Sequence, residues 1–377
     1  MDMTSVRSAR SSRRAALRRV FLVVLVAALV ATAGAVTWRV AGPSPDGTWA
    51  SLDATDRAML TELSAQYDRA AADPAGVWTA DFHYEEQPFL LLRTSKSKSA
   101  RWQYAFLVNM SDVVDTSGMR RVVLPDMPLL DDVHVSKTFG LTAPLLHLPA
   151  NFTDLAFDGT SLSAFKFHPA MFDPEAPTND DFRHFSAHEH FHVAVQGVDP
   201  EAEASWKYDD AGYLDDVPSS PEHDRLLRAE LAALDQARAA VDESSARAAA
   251  ADAVRLRLAR QETWPTLRKQ DGIETIEGVA TYFEAKVNGD DVLVGQQSLV
   301  AAVDHFGDSV LGRDLYYWTG ASIGGTLDVL RPGWKDELSA SGASGAGPAL
   351  FDMLRQSTDV AEAPPAGALD ALVAAYV

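Results

Sequence analysis

The chain has 377 residues, no cysteine and a formal net charge of −20 at pH 7; 47% of it is hydrophobic and 23% charged. This is globular composition, long enough for one large or two moderate domains, and without cysteine any metal has only His, Asp and Glu to hold it. Residues 1–19 carry six arginines and one acid, which leaves 27 basic and 52 acidic residues, a net −25, on the rest. A body this acidic argues against nucleic-acid binding and against docking on anionic lipid.

In chain order, the basic segment 1–19 runs into an uncharged apolar stretch, VFLVVLVAALVATAGAV over 20–36. Arginines before an apolar run predict membrane targeting, with the N-terminus inside and the body exported. An uncleaved anchor over 20–37 is expected, giving a single-pass cell-membrane protein. The Ala33-Gly34-Ala35 triplet leaves cleavage and secretion as the alternative. Residues 38–48 read as a linker ahead of one extracytoplasmic domain, 49–377, with a β-rich part over 49–177 and a helical part over 178–377. Within the first part, Leu52, Met59, Leu60, Leu63 and Tyr67 sit near helical spacing and predict a helix over 51–72. The pattern then changes to short apolar runs between turn residues, among them 89–93, 102–109, 121–124 and 162–167, which predict strands.

A second helix is expected from the sequence Thr178-Asn179-Asp180-Asp181, with Thr178 as its N-cap and Gly197 near its end. It contains His188-Glu189-His190-Phe191-His192, which reads H-E-x-x-H. Two histidines four apart share one helix face, so His188 and His192 can bind one zinc ion while Glu189 serves as general base. His184 and His190 are expected to support the ligands from behind or to face solvent. The same residues also read H-x-H-x-H, which on a strand would put three histidines on one face; the three–four spacing of Phe182 and Phe185 argues for the helix. Further on, 221–261 reads as a solvated helical pair covering the site, with Leu227, Leu231, Leu234 and Val241 on one stripe and a break at 242–245. Residues 273–287 form another amphipathic helix, in which Gly278 suggests close packing. Helices are also expected over 299–305, 315–330 and 366–376, and a flexible loop over 339–348. Gly320-Ala321-Ser322-Ile323-Gly324 matches the G-x-S-x-G nucleophile elbow, but no histidine follows it, so small residues on a packed helix explain it better.

Beyond that motif, Glu277-Gly278-Val279-Ala280-Thr281-Tyr282 resembles the E-G-x-A-x-Y helix that follows H-E-x-x-H in the gluzincin metallopeptidases, the peptidase MA-like group. The resemblance covers about residues 178–338. It implies an α+β, zincin-like fold and makes Glu277 the third zinc ligand, the alternative being a surface glutamate on a helix edge. The thermolysin-like version has an acid four residues later, where this chain has Thr281; Glu274 and Glu284 are the spare acids for holding a histidine. Hydrolysis also needs a donor for the oxyanion. Tyr317, in a Y-x-x-G sequence similar to that group's, is either that donor or a core aromatic, with His305 second in line. The function expected is zinc-dependent hydrolysis of peptide or protein substrates outside the cytoplasmic membrane. The rival is a non-catalytic, membrane-tethered interaction domain whose zinc is structural or lost.

Overall fold

The computed structural model describes residues 44–157, 160–176, 181–197, 206, 214, 217–293, 296–344 and 348–377. The expected anchor and Thr178 lie outside the described residues, and among the described residues no helix is long and apolar enough to cross a membrane. Helix α1 (Ala54–Ala72) starts three residues later than its apolar pattern suggests. The reason is a capping box, in which the Asp53 carboxylate accepts the Asp56 N–H and the Asp56 carboxylate accepts the Asp53 N–H.

The chain then forms a six-stranded mixed sheet from β1 (Phe89–Arg93), β2 (Ala105–Val108), β3 (Arg120–Arg121), β4 (Val133–Ser136), β5 (Phe152–Phe157) and β6 (Thr160–Phe167). Their order is β3-β4-β2-β1-β6-β5. β1 and β6 run parallel, pairing Leu91 with Phe165, and the other neighbours are antiparallel. Alternate residues point to opposite faces of a strand. Phe89 and Leu91 of β1 therefore join Phe106, Phe165 and Phe167 in the main core under the helices. Leu90 and Leu92 join Leu107, Leu162 and Ala164 in a smaller core closed by Trp102 and Leu146. A strand buried on both faces reads as a continuous apolar run rather than an alternation, which is why β1 is FLLLR.

The helical part begins with α2 (Phe182–Ala194), capped by Asp181, whose side chain accepts the Arg183 N–H. α3 (Pro221–Arg238) and α4 (Glu243–Thr263) form the expected hairpin. Asp242 caps α4 by accepting the Ser245 N–H, so 243–245 are already helical. Val241 is 99% exposed in the turn and is not part of the stripe that buries Leu227, Leu231 and Leu234. Nor is the pair simply solvated: Glu230, Arg257 and Arg260 are buried on its inner side. The helix expected over 273–287 is interrupted. A short helix Lys269–Ile273 leads into a π-helical turn, Glu274–Gly278, and then into α5 (Val279–Asn288). α6 (Leu299–Phe306), α7 (Asp314–Leu330), α8 (Trp334–Ser344), α9 (Leu350–Thr358) and α10 (Ala366–Val373) follow. α8 takes up 339–344, where the Ser/Gly-rich sequence suggested a loop. Trp334 and Leu338 are fully buried and anchor this helix in the core, and the Trp206 ring packs against Gly342.

The π turn and α7 touch through glycine. A Cβ on Gly278 would lie 2.5 Å from the Gly320 Cα, and one on Gly320 would lie 2.6 Å from the Glu274 carbonyl oxygen. Gly320 is the first glycine of the G-x-S-x-G sequence, so helix packing accounts for it. In a free helix Gly→Ala gains about 1 kcal/mol, whereas overpacking a rigid contact costs about 1–3 kcal/mol. Gly320→Ala is expected to be a net loss; a denaturant midpoint at or above that of the wild type would remove the close-packing argument.

Candidate metal centre

Helix α2 lies between the sheet and the helical part and shows each a different face. Towards the sheet, Phe182 packs on Phe167 with ring centres 6.4 Å apart, Phe185 on Phe165 at 6.2 Å, and His190 stacks on Phe89 at 4.0 Å. His190 is thus a core histidine rather than a supporting or solvated one. Its ring nitrogens have no hydrogen-bond partner among the described residues, and burial lowers its pKa to about 3, which keeps it neutral. His188 and His192 point the other way, towards the π turn and α5. The helix excludes the strand arrangement in which all three histidines share a face.

His188 Nε2 lies 3.1 Å from His192 Nε2 and 3.2 Å from Glu277 Oε2, and His192 Nε2 lies 3.4 Å from that same oxygen. All three residues are buried. Ligands about 2.0–2.1 Å from a tetrahedral ion stand roughly 3.3 Å from one another, so these atoms have the spacing of three corners of such a site. The cluster can hold a metal ion.

The far side of each ring fixes its tautomer. Glu284 Oε2 accepts the His188 Nδ1–H at 2.9 Å, and Gln196 Oε1 accepts the His192 Nδ1–H at 2.5 Å. The Gln196 amide cannot be turned round, because its NH2 donates to the Ile276 carbonyl at 2.9 Å. Both Nε2 atoms therefore face the common space, where a metal ion would take the place of the proton held there. His184, one turn before His188, holds the other Glu284 oxygen at 3.3 Å. Burial lowers the His188 pKa, but the hydrogen bonds to Glu277 and Glu284 outweigh it and push it up to about 10. Burial raises the Glu277 carboxyl, and the two imidazoles more than offset this, holding it well below the usual carboxylate range.

The other candidates divide. Glu284 takes the supporting role that the sequence left open between two acids. Glu274 faces away and bonds Arg257 and Thr319 in a buried network with Glu230 and Arg260. That network ties the π turn to α4. Thr281 donates back to the Glu277 carbonyl at 3.0 Å and supports no histidine. Glu189 is partly exposed, takes no hydrogen bond from a described residue, and lies close enough for its charge to act on both His188 and Tyr317. The Tyr317 ring stacks on His188, 5.5 Å away and 11° from parallel. Burial and then the charge of Glu277 raise its pKa, so the hydroxyl stays protonated. His305 is exposed and packs its ring on Phe306. Two further residues act at the site. Gln196 lies in the three–four spacing of the motif's helix face, one turn after His192, but nothing in the sequence assigns it a role. Arg313, whose Nη2 donates to Glu277 Oε1 at 2.5 Å, left no sequence signal.

No protein-family model matches the chain, and no curated protein or solved structure matches it.

Two outcomes follow from the geometry. Removing a partner behind a metal-binding histidine typically costs about 10–100-fold in affinity. Glu284→Ala and Gln196→Leu are each expected to weaken metal binding by that factor, measured by competition with a chelator, and Glu277→Ala more. The metal-free protein should also show a pH signature. The His188 contribution to stability is complete below its ordinary pKa of 6.5 and is lost as pH rises through about 10. The Glu277 contribution is complete above its ordinary 4.5 and is lost as pH falls. Urea unfolding of the metal-free protein should therefore show this pair contributing most between about 4.5 and 6.5 and less towards pH 10, a trend that Glu277→Gln should flatten.

Proposed function

We propose that the protein is a zinc-dependent peptidase of the gluzincin type with a zincin-like α+β fold, held at the cell membrane by residues 20–37 with its catalytic domain outside. The observation that carries this reading is the buried cluster of His188 Nε2, His192 Nε2 and Glu277 Oε2, mutually 3.1–3.4 Å apart, with the Glu189 carboxylate beside it and unclaimed by other described residues. Two histidines and one carboxylate are the donor set of a catalytic zinc with one position left open. The same set also suits ferrous iron; a neighbouring general base and a protonated phenol favour hydrolysis and hence zinc.

Zinc in such a site supplies a Lewis acid for the peptide carbonyl and makes water more acidic. The chain supplies the rest. Glu189 takes the proton of the attacking water on a carboxylate oxygen and passes it to the leaving amine nitrogen. The Tyr317 hydroxyl donates a hydrogen bond to the oxyanion that develops on the former carbonyl oxygen. Glu284 and Gln196 hold the two imidazoles so that neither ring turns as charge moves.

The test is Glu189→Gln, which keeps the shape of the side chain and removes its basicity. Positioned acid–base catalysis contributes about 10²–10⁴-fold, so peptide cleavage should fall by at least that factor while zinc content stays the same. Equal cleavage by variant and wild type would remove Glu189 as the base. A wild type that holds zinc yet cleaves no member of a peptide library would favour the tethered interaction domain instead.

A further inference from the structure

The two oxygens of Glu277 have different partners. Oε2 faces the two imidazole Nε2 atoms at 3.2 and 3.4 Å, whereas Oε1 accepts from Arg313 Nη2 at 2.5 Å. Arg313 is the residue immediately before α7. Its guanidinium also lies over the Tyr317 ring, 5.4 Å from the ring centre, and that ring in turn stacks on His188. Guanidinium, phenol and imidazole thus form one stack, and the Arg313–Glu277 bond closes it back on the ligand cluster.

We propose that Arg313 is a positioning residue that commits Glu277 to bind the metal through a single oxygen, which keeps the position facing Glu189 and Tyr317 open for substrate. The inference rests on the reading of His188, His192 and Glu277 as metal ligands. Carboxylates bind ions through one oxygen or through both, according to what else claims the second. The Glu277 side chain is 10% exposed, so little solvent is at hand to take Oε1 in place of the arginine. With Oε1 released, a small rotation of the carboxylate would bring both oxygens to the ion and fill the position that substrate needs. Arginine suits this task better than a neutral donor, because it stays charged and its planar group binds a carboxylate and an aromatic face together.

The test replaces zinc with cobalt(II) in the full chain, because the visible bands of cobalt are strong in a four-coordinate site and weaken when a fifth donor binds. Arg313→Met removes the donor; Arg313→Lys keeps the charge and one donor to Oε1. In Arg313→Met the band intensity should fall by about half or more as the coordination number rises, and metal affinity should change by about 10–100-fold in competition with a chelator. Arg313→Lys should restore the wild-type spectrum. Circular dichroism checks that each variant folds, and Arg313→Gln, too short to reach Glu277, gives the same comparison if the methionine variant does not. An unchanged cobalt spectrum and affinity in a folded variant lacking the arginine would overturn the proposal and leave the metal centre standing. A wild type that takes up neither cobalt nor zinc would overturn both.

Discussion

Two imidazole nitrogens and a carboxylate oxygen lie within 3.4 Å of one another in a buried space, and that arrangement favours positive charge between them. Unpaired lone pairs brought this close would repel, and a buried carboxylate without a cation is costly. A proton shared with His188 meets this need in part, which is the meaning of its raised pKa opposite a lowered Glu277. A divalent ion meets it more fully, because it attracts all three donors at once. Much of what is unusual in the surrounding structure follows from holding these three atoms in place.

The histidines come from one helix and the carboxylate from a chain segment 89 residues later, so their register depends on how two elements pack. On one side, α2 is fixed by aromatic contacts to the sheet and by Phe191, which packs against Trp78 and Phe283 at 4.8 Å each. On the other, the π turn places Glu274 and Glu277 on different sides. Glu274 is drawn into the Arg257–Glu230–Arg260 network, and Glu277 is left facing the histidines. Widened turns of this kind are frequent at functional sites. The Gly278–Gly320 contact lets α7 approach closely enough for Tyr317 and Arg313 to reach the same space. A buried ion network is weak evidence for stability. Here its visible consequence is geometric, since it holds the segment on which the third donor sits.

Much of this was legible in the sequence, and the parts that were not share a cause. The H-E-x-x-H face and the hairpin of α3 and α4 express helical periodicity, β1 and β6 are apolar runs, and Gly278 is a glycine inside a helical pattern; all are local signals, and local signals survive into the fold. β4 and β5, which lie in different halves of the sheet, went unremarked because VHVS and FTDLAF carry polar residues among their apolar ones and no continuous apolar run marks them. Residues 339–344 look like a loop by composition, yet the burial of Trp334 and Leu338 overrides weak local preference. The π turn has no signature in Glu274-Thr275-Ile276-Glu277-Gly278 that distinguishes it from an ordinary helix; its partners are Arg257 on α4 and Gly320 on α7, outside the segment itself. Arg313 is invisible for the same reason: nothing near it in the chain marks it as a partner of Glu277.

The face opposite the ligands shows how the site and the core constrain each other. A helix that carries two residues of a candidate metal centre on one side has to be held rigidly from the other, and α2 does this with Phe182, Phe185 and His190. A phenylalanine at 190 would give up little, since both ring nitrogens of His190 lack partners among the described residues; the structure offers no reason for an imidazole there beyond its ring contacts with Phe89 and Tyr84. What it does show is that this contact belongs to the main core, which continues through Phe89 and Phe165 into the sheet. A core of that extent does not need an ion to form, unlike the small domains that fold only around zinc. The donors can therefore be set in place before any metal arrives, and metal binding need not supply the free energy of ordering them. Three donors are enough to hold a tetrahedral ion, and a cluster prepared in this way would leave its fourth direction free.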